Sequence, residues 1–220
     1  MDIIDVMKDI IIYGFGGFGR EMATILGKIN EIAPTWNLLG YIDDGYDPGI
    51  KNKYGKILGN IDFLNSYDKP VSVLIAIGTP STVKKLVDNI HNPNVDYPNI
   101  VAPSVYFYDK NTVKLGKGNI ITAGARISCD VCLGDFNILN SGVYLGHDVY
   151  IGNYNLLEPE VRLSGGVNVG NANFFGTRST VLQYIKISDN TRIGACSLIL
   201  RNPKGGCLYM GNPAKKIDGI

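Results

Sequence analysis

The sequence predicts two domains of different class: an α/β half-Rossmann (βαβ) domain over residues 1–100, and an all-β parallel β-helix over residues 101–220. Three observations lead to this prediction. They are the length of 220 residues, a six-residue repeat that fills the second half of the chain, and a strand, glycine-loop and helix pattern near its start. With 45% apolar and 19% charged residues, the chain can bury a core in each half.

The second half carries a large apolar residue at every sixth position, from Leu115 to Ile199. All fifteen positions are Leu, Ile, Val or Phe, and chance would produce such a run with a probability of about 10⁻⁷. A second series, four positions further on, consists of small, polar or β-branched residues. Six residues make a short strand and a corner, so three such faces form a triangular coil. The repeat therefore predicts about five coils with the large residues inside.

Glycine is unusually frequent, with 27 residues in the chain against a usual share of about 7%. Seven of these glycines directly follow the large residue of a repeat. We expect them to supply the left-handed backbone angles that sharp corners need. They are Gly116, Gly134, Gly146, Gly152, Gly170, Gly176 and Gly194.

The start of the chain has the pattern of a strand, a glycine loop and a helix. Residues 10–13 are an apolar run, and residues 20–26 favour a helix. The G-x-G-x-x-G pattern between them lets a phosphate approach the positive N-terminus of a helix. We expect the substrate to contact Gly14, Gly16, Gly17, Phe18 and Gly19.

Two further apolar runs, residues 38–42 and 73–77, predict parallel strands. A helix over residues 82–90 follows the second run, with Thr79 or Ser81 as its cap. The carboxyl ends of parallel strands meet at one crevice, where carboxylates could hold a ribose or a base. The candidate substrate-binding residues at these ends are Asp43, Asp44, Gly78 and Thr79.

The number of βα units limits the ligand of this domain. They stop near residue 100, too early for the two halves that clasp a dinucleotide. A mononucleotide diphosphate therefore fits better than NAD. NAD, and a relic or regulatory site, are the alternatives.

Two histidines are present, and they differ in setting. His91 lies in a polar loop after a predicted helix, which favours an exposed residue or a partner for the helix dipole. His147 is third in its hexapeptide, so its side chain projects from a corner of the prism with Asp148 beside it. An imidazole next to a carboxylate suits general-base catalysis near neutral pH. One coil further on stand Gly165 and Gly166, which leave space in front of the ring and expose a backbone N–H.

The repeat, closed by Gly211-Asn212-Pro213-Ala214-Lys215, resembles the hexapeptide-repeat acyltransferases, whose β-helix is left-handed. The resemblance continues into the first hundred residues. There the glycine loop, Ile42-Asp43-Asp44, Ala76-Ile77-Gly78 and Val101-Ala102-Pro103-Ser104 are similar to one branch of that family. It is the branch of nucleotide-4-aminosugar N-acetyltransferases and sialic acid O-acetyltransferases.

The resemblance implies an N-acyltransferase that uses acetyl-CoA, or another acyl-CoA, on the amino group of a nucleotide-linked amino sugar. It implies a homotrimer with active sites between subunits, in surface glycan biosynthesis, and no metal. His147 is then the base, Asp148 its support, and the Gly165 N–H the oxyanion donor; Asn140 is a further substrate contact. The residues implied to bind CoA are Gly165, Gly166, Gly211, Asn212, Pro213, Ala214 and Lys215.

The sequence departs from the family pattern at two places. Many relatives carry a second histidine nine residues after the first, where this chain has Leu156. Either a backbone group or Glu158 replaces it, or the acyl pocket has a different shape. Residues 181–185 are also bulkier than usual for a corner, which indicates an altered CoA or subunit contact.

Two other functions are compatible with the sequence: O-acetylation of a sugar of the sialic acid type, and nucleotide binding by a β-helical protein without catalysis. A net charge of +1 with scattered charges argues against nucleic acid as a partner. The first eight residues carry two acids, and no apolar run reaches about 18 residues. We therefore expect a cytoplasmic protein with no signal peptide and no membrane contact. The four cysteines are expected to be reduced structural thiols.

Overall fold

The computed structural model describes residues 7–218 and divides into two compact units. One unit contains the residues up to Gly78 together with Thr82–Pro103; the other contains Thr79–Ser81 and the residues from Ser104 onward. The prediction about a signal peptide rests on the first eight residues, of which residues 1–6 lie outside the described part. In residues 7–218, no helix has both the length and the apolar character needed to span a bilayer.

The first unit has a parallel sheet with helices between its strands. Its elements are β1 (Lys8–Tyr13), α1 (Gly17–Ile32), β2 (Trp36–Ile42), β3 (Lys51–Asn52), β4 (Gly55–Gly59), α2 (Ile61–Ser66), β5 (Val71–Ile75), α3 (Pro80–Asn89), β6 (Val95–Asp96) and β7 (Ile100–Val101).

The sheet has the strand order β3-β4-β2-β1-β5-β6, and only the β3/β4 pair is antiparallel. The apolar ends of β1 and β5 are buried in its centre, as continuous apolar runs in a parallel sheet require. The chain leaves β1 toward β2 on one side, while β5 pairs on the other. The strand order reverses there, which is where open parallel sheets bind ligands.

The predicted half-Rossmann unit is confirmed, with changes at the ends of its elements. Helix α3 begins at Pro80, two residues earlier than predicted, because proline has the right φ angle for a first helical position and needs no N–H partner there. Strands β3 and β4 and helix α2 were not predicted. Their segments are only two to six residues long, and β4 begins and ends with glycine, so they are too short to show a hydrophobic period.

The second unit is a left-handed β-helix of three faces. The first face contains β10 (Ile120–Ile121), β13 (Ile138–Leu139), β16 (Leu156–Leu157), β19 (Phe174–Phe175), β22 (Arg192–Ile193) and β24 (Leu208–Gly211), with β25 (Ala214–Ile217) antiparallel to β24. The second face contains β8 (Tyr106–Phe107), β11 (Arg126–Ile127), β14 (Tyr144–Leu145), β17 (Arg162–Leu163), β20 (Thr180–Val181) and β23 (Leu198–Ile199). The third face contains β9 (Lys114–Leu115), β12 (Cys132–Leu133), β15 (Tyr150–Ile151), β18 (Asn168–Val169) and β21 (Lys186–Ile187).

The predicted register is confirmed: the fifteen strands from β9 to β23 form five coils. Each strand pairs in parallel with the strand 18 residues later, as in Tyr144↔Arg162. Tyr106 instead pairs with Arg126, twenty residues on, and a 3₁₀ turn at Lys110–Thr112 falls within this longer first coil. Fourteen of the fifteen large apolar residues are buried in the prism, and Leu115 is half-buried.

The expected role of the seven repeat glycines was wrong. Left-handed angles do recur every six residues, from Gly118 to Cys196, but ten of these fourteen residues are not glycine. The seven glycines next to the large residues allow neighbouring coils to approach closely. A Cβ on Gly146, for example, would lie 2.6 Å from the backbone nitrogen of Gly165.

A ladder of buried asparagines runs along the corner between the third and first faces. The side-chain oxygen of each one accepts a hydrogen bond from the backbone N–H one coil further on, at 2.7–3.0 Å. A one-residue slip would leave these amides unpaired in the core, so the ladder holds the register. Its members are Asn119, Asn137, Asn155, Asn173 and finally Thr191.

Candidate active site

His147 and Asp148 form an exposed pair at the corner between the second and third faces. The Nδ1 atom of His147 lies 2.7 Å from Oδ2 of Asp148, and 56% of the histidine side chain is exposed. Asp148 occupies one of the left-handed corner positions, with φ of 58°. A carboxylate at Nδ1 favours a proton on that nitrogen, which leaves the lone pair on Nε2 to accept another.

Gly165 lies against the imidazole, one coil further along the prism. A Cβ at this position would come within 2.6 Å of Cε1 and Nε2 of His147, so any larger residue would displace the ring. The Gly166 N–H donates to the His147 carbonyl at 2.8 Å, whereas the Gly165 N–H makes no hydrogen bond to a described residue. The residue that lies against the imidazole thus has a backbone donor without a described partner.

Asn140 lies at a different corner, between the first and second faces. Its Nδ2 donates to Oε2 of Glu158 at 3.1 Å, one coil further on. Strand β14 separates this corner from His147 within one chain. Leu156, at the position of the second family histidine, is 2% exposed on the first face. One chain therefore does not bring Asn140 or Glu158 beside His147.

The closing segment predicted to bind CoA forms the hairpin of β24 and β25. Gly211 pairs with Ala214 across a turn formed by Asn212 and Pro213, and Lys215 pairs with Met210. The hairpin borders a groove of about 310 Å³. Its lining residues are Ile199, Leu200, Arg201, Asn202, Tyr209, Pro213 and Ala214.

The groove lies on the same edge of the prism as His147. Positions 147, 165, 183 and 201 are 18 residues apart, so His147, Gly165, Gln183 and Arg201 share one corner. Adjacent strands are ~4.8 Å apart, which separates His147 and Arg201 by roughly 14 Å along the axis. We call this edge the His147 edge.

The glycine loop of the first unit contains two kinds of glycine. Gly14 and Gly19 are needed for packing: a Cβ on Gly14 would lie 2.7 Å from the Ala76 carbonyl oxygen, and one on Gly19 would lie 1.9 Å from that of Gly14. Gly16 and Gly17 have open space or only the tip of Arg20 nearby. These two glycines keep the approach to the N-terminus of α1 clear.

Among the described residues, no side chain caps the N–H groups at the N-terminus of α1. Its N-cap is Gly16, no side-chain cap hydrogen bond is formed, and its first turn carries no acidic residue. The exposed N–H groups and the positive end of the helix dipole can therefore accept an anion. Phe18, in the first turn, is half-buried.

Asp43 and Asp44 are both engaged by groups of their own domain. Asp43 accepts hydrogen bonds from the Phe15 and Gly45 N–H groups, at 2.8 and 2.9 Å. Asp44 accepts from the Tyr13 hydroxyl at 2.5 Å and from the Ile61 N–H at 3.0 Å. The two carboxylates thus fix the glycine loop and the start of α2, and each oxygen keeps a lone pair for a ligand.

Sequence reasoning missed Tyr13, which reads as the last residue of an apolar strand. Burial, and the hydrogen bond to Asp44, raise the pKa of the Tyr13 phenol. The other predicted substrate-binding residues after β5, Gly78 and Thr79, are exposed. His91 is exposed too, and its N–H donates to Asn65.

All four cysteines are free thiols. Across residues 7–218, no cluster of three or more His, Cys, Asp or Glu side chains is arranged to hold a metal ion.

Comparison with known proteins supports the two-part fold. Residues 9–90 match the family model described as the PglD N-terminal domain. PerB from Caulobacter crescentus, solved with CoA and GDP-perosamine, has 25% identity and a TM-score of 0.85, and the alignment covers 96% of this chain and 98% of PerB. No curated protein matches the sequence.

Two further solved structures have the same fold over nearly the whole chain. A mutant of the perosamine N-acetyltransferase from Caulobacter crescentus has 24% identity and a TM-score of 0.85, with 97% and 99% of the two chains covered. The acetyltransferase domain of PglB from Neisseria gonorrhoeae has 21% identity and a TM-score of 0.87, with 96% and 100% covered.

The chain thus has a half-Rossmann unit followed by a β-helix, the fold of the solved nucleotide-sugar acetyltransferases to which it is similar. The resemblance to the nucleotide-aminosugar acetyltransferases is confirmed, and its N-terminal part is the match to the PglD N-terminal domain.

Proposed function

We propose that this protein is an N-acyltransferase that moves the acetyl group of acetyl-CoA, or the acyl group of another acyl-CoA, to the amino group of a nucleotide-linked amino sugar. The observation that carries the proposal is the His147–Asp148 pair against Gly165, whose N–H makes no hydrogen bond to a described residue. The similarity to PerB, which was solved with CoA and GDP-perosamine, supports the same chemistry.

The reaction follows from three groups at the corner. The sugar amine attacks the thioester carbonyl carbon while Nε2 of His147 accepts the proton that the nitrogen loses. Asp148 holds the Nδ1–H and stabilises the imidazolium that forms. The Gly165 N–H donates to the negative oxygen of the tetrahedral intermediate. When the C–S bond breaks, the sulfur leaves as a thiolate and takes the proton from the imidazolium, giving the amide and free CoA.

The His147 edge provides a path for the rest of CoA. An extended pantetheine arm spans a distance similar to the roughly 14 Å between the coils of His147 and Arg201. The anionic phosphates of CoA then lie by the groove that contains Arg201, beside Pro213 and Ala214. Gly166, Gly211, Asn212 and Lys215 remain proposed contacts along this path.

The nucleotide part of the acceptor binds the first unit. We place its diphosphate at the open N-terminus of α1, over Gly16 and Gly17. Asp43 and Asp44 position the loops around it and offer their remaining lone pairs to the ribose or base. Free sialic acid has no diphosphate to occupy that site, so the site favours a nucleotide-linked acceptor over the O-acetylation alternative.

The assembly and location are further parts of the proposal. Asn140 lies at another corner of the same chain, so a homotrimer with the site between subunits would explain its role as a substrate contact. The soluble substrates, acyl-CoA and a nucleotide sugar, are consistent with a cytoplasmic enzyme of surface glycan biosynthesis.

The test is release of free CoA from acetyl-CoA in the presence of GDP-, UDP- or dTDP-linked 4-amino-4,6-dideoxysugars. We expect turnover with at least one of the three and none with the matching 4-hydroxy sugar nucleotides. Turnover with free sialic acid alone would show that the acceptor is a sugar of the sialic acid type and not a nucleotide-linked amino sugar. The absence of CoA release with every acceptor would contradict an enzymatic role.

A further inference from the structure

Tyr184 is an exposed aromatic residue that touches both glycines of the proposed active site. Its backbone N–H donates to the Gly165 carbonyl oxygen at 3.1 Å. Its ring lies on Gly166, where a Cβ would come within 2.5 Å of the ring carbon Cδ1. In this structure 73% of Tyr184 is exposed, among the highest values for a large apolar residue.

The backbone at Tyr184 does not favour a bulky residue. Its φ is 61°, in the left-handed region that glycine and asparagine adopt most easily. A tyrosine there is strained, and an exposed ring recovers little of that energy by burial. The fold therefore gives no reason for tyrosine at this position.

A second contact between an aromatic ring and a glycine in the same β-helix has a structural role. Phe136 also has a left-handed backbone, and its ring lies on Gly118 one coil earlier. That ring is 4% exposed and stacks on Tyr154 with centroids 5.5 Å apart. Tyr184 has the same left-handed backbone and also lies on a glycine one coil earlier. However, no described ring or cation packs against the Tyr184 ring.

The position of Tyr184 indicates a ligand instead. It lies on the His147 edge, one coil beyond Gly165 and one coil before Arg201. Leu182 and Leu200, 18 residues apart beside this edge, are also exposed, and Leu200 lines the groove. Apolar surface thus continues from the Gly165 end of the site to the groove beside the C-terminal hairpin.

We propose that the Tyr184 ring is the wall against which the pantetheine arm of acyl-CoA lies next to its thioester, so that Tyr184 is a positioning residue for the acyl donor. This inference rests on the proposed acyltransferase function. The ring orders the arm and holds the thioester carbonyl at the Gly165 N–H. It makes no contact with the reacting atoms.

The decisive variant is Tyr184→Asn, which removes the ring and suits the left-handed backbone, so the fold is retained. We expect the KM for acetyl-CoA to rise about tenfold, the equivalent of 1.4 kcal/mol, with kcat within about twofold and an unchanged KM for the nucleotide sugar. Tyr184→Phe should restore the wild-type KM. Ala172→Asn is the matched control, because it places asparagine at a left-handed position on another edge.

Acetylpantetheine lacks the nucleotide of CoA, so it distinguishes the contribution of the pantetheine arm to binding from that of the phosphates. Tyr184→Asn should lower kcat/KM for acetyl-CoA and for acetylpantetheine by the same factor, whereas Arg201→Gln should affect acetyl-CoA alone. An unchanged KM for acetyl-CoA in Tyr184→Asn would overturn the proposal. So would a change in oligomeric mass on size-exclusion chromatography with light scattering, since Tyr184 would then be a subunit contact.

Calorimetric titration with free CoA distinguishes this inference from the proposed function. If the wild-type protein binds CoA but transfers no acyl group, the proposed function fails, and weaker CoA binding by Tyr184→Asn still supports the ring contact. If both proteins bind CoA equally, the ring contact is wrong whatever the enzyme does.

Discussion

His147 carries the proposed chemistry through its contacts with two neighbours. The carboxylate of Asp148 holds Nδ1, and Gly165 leaves the space before Nε2 empty of side chains. Because the corner is exposed, the ring is accessible to an amine without any rearrangement of the coil. At the residue scale, catalysis therefore depends on a small number of atoms held by a rigid repeat.

The first prediction tests that base. His147→Ala and His147→Asn should each lower kcat by about two to four orders of magnitude, because no other group accepts the proton of the attacking amine. His91→Ala, the control, removes an exposed imidazole outside the site and should keep wild-type kcat. The measurement is CoA release at saturating substrates, and a rate near wild type in both His147 variants would assign the base elsewhere.

The second prediction concerns the pH dependence of stability. The pKa of Tyr13 is raised in the folded protein by burial and by Asp44, so folding favours the protonated phenol. Its contribution to the free energy of unfolding is complete below the unfolded pKa of about 10 and is lost as the pH rises above it. Tyr13→Phe should therefore lose about 1–3 kcal/mol at pH 8 and depend less on pH between 9 and 11.

Urea unfolding of the wild type and the variant at those pH values provides the measurement. Tyr54→Phe is the control, since Tyr54 is a tyrosine whose pKa is lowered. Equal losses of stability above pH 10 in the wild type and Tyr13→Phe would show that the Tyr13–Asp44 hydrogen bond is not the titrating contact.

At the element scale, the six residues of the glycine loop combine a packing role with the proposed binding of the diphosphate. Gly19 lets α1 approach β1 closely, and Gly16 leaves the helix N-terminus open. The φ of Gly16 is −66°, a value that alanine adopts without strain, so the two roles can be separated by the same substitution.

The third prediction is that Gly16→Ala and Gly19→Ala fail in different ways. Gly19→Ala puts a methyl group into the Gly14 carbonyl and should unfold the first unit, seen as a loss of helical circular dichroism. Gly16→Ala should keep the fold and the KM for acetyl-CoA but raise the KM for the nucleotide sugar about tenfold, because the methyl group obstructs the phosphate. An unchanged KM for the nucleotide sugar in Gly16→Ala would show that the diphosphate does not bind at this loop.

The β-helix was more predictable from the sequence than the site was. Every face repeats the same requirement for a large inward residue, so Leu145 and Leu163 report the register independently of each other. The stacking of Gly165 on His147 followed from the 18-residue coil. The backbone roles of the glycines did not follow, because close approach and left-handed φ both select glycine.

The binding loops were harder to predict for another reason. Asp43 and Asp44 hold their contacts through backbone N–H groups and the Tyr13 hydroxyl, which lie far away in sequence and leave no periodic pattern. The sequence identifies Tyr184 only as part of a bulky segment at a corner. Its contact with Gly166 is visible only in the three-dimensional structure.

At the scale of the whole molecule, one chain does not complete the proposed site. His147 and Asn140 lie at two corners of the same prism, on opposite sides of β14. In a three-fold assembly, the His147 corner of one subunit can meet the Asn140 corner of the next. Each active site then draws its base and its substrate amide from different chains.

The last prediction tests this division by complementation. Homotrimers of His147→Ala or of Asn140→Ala should each be severely impaired, but co-expressed chains should regain activity, because some interfaces combine an intact histidine with an intact asparagine. Random mixing of equal amounts leaves about one quarter of the sites intact. The measurement is CoA release by mixed trimers purified through two different affinity tags. Wild-type activity of Asn140→Ala alone, or mixed trimers no more active than the two homotrimers, would place the whole site within one chain.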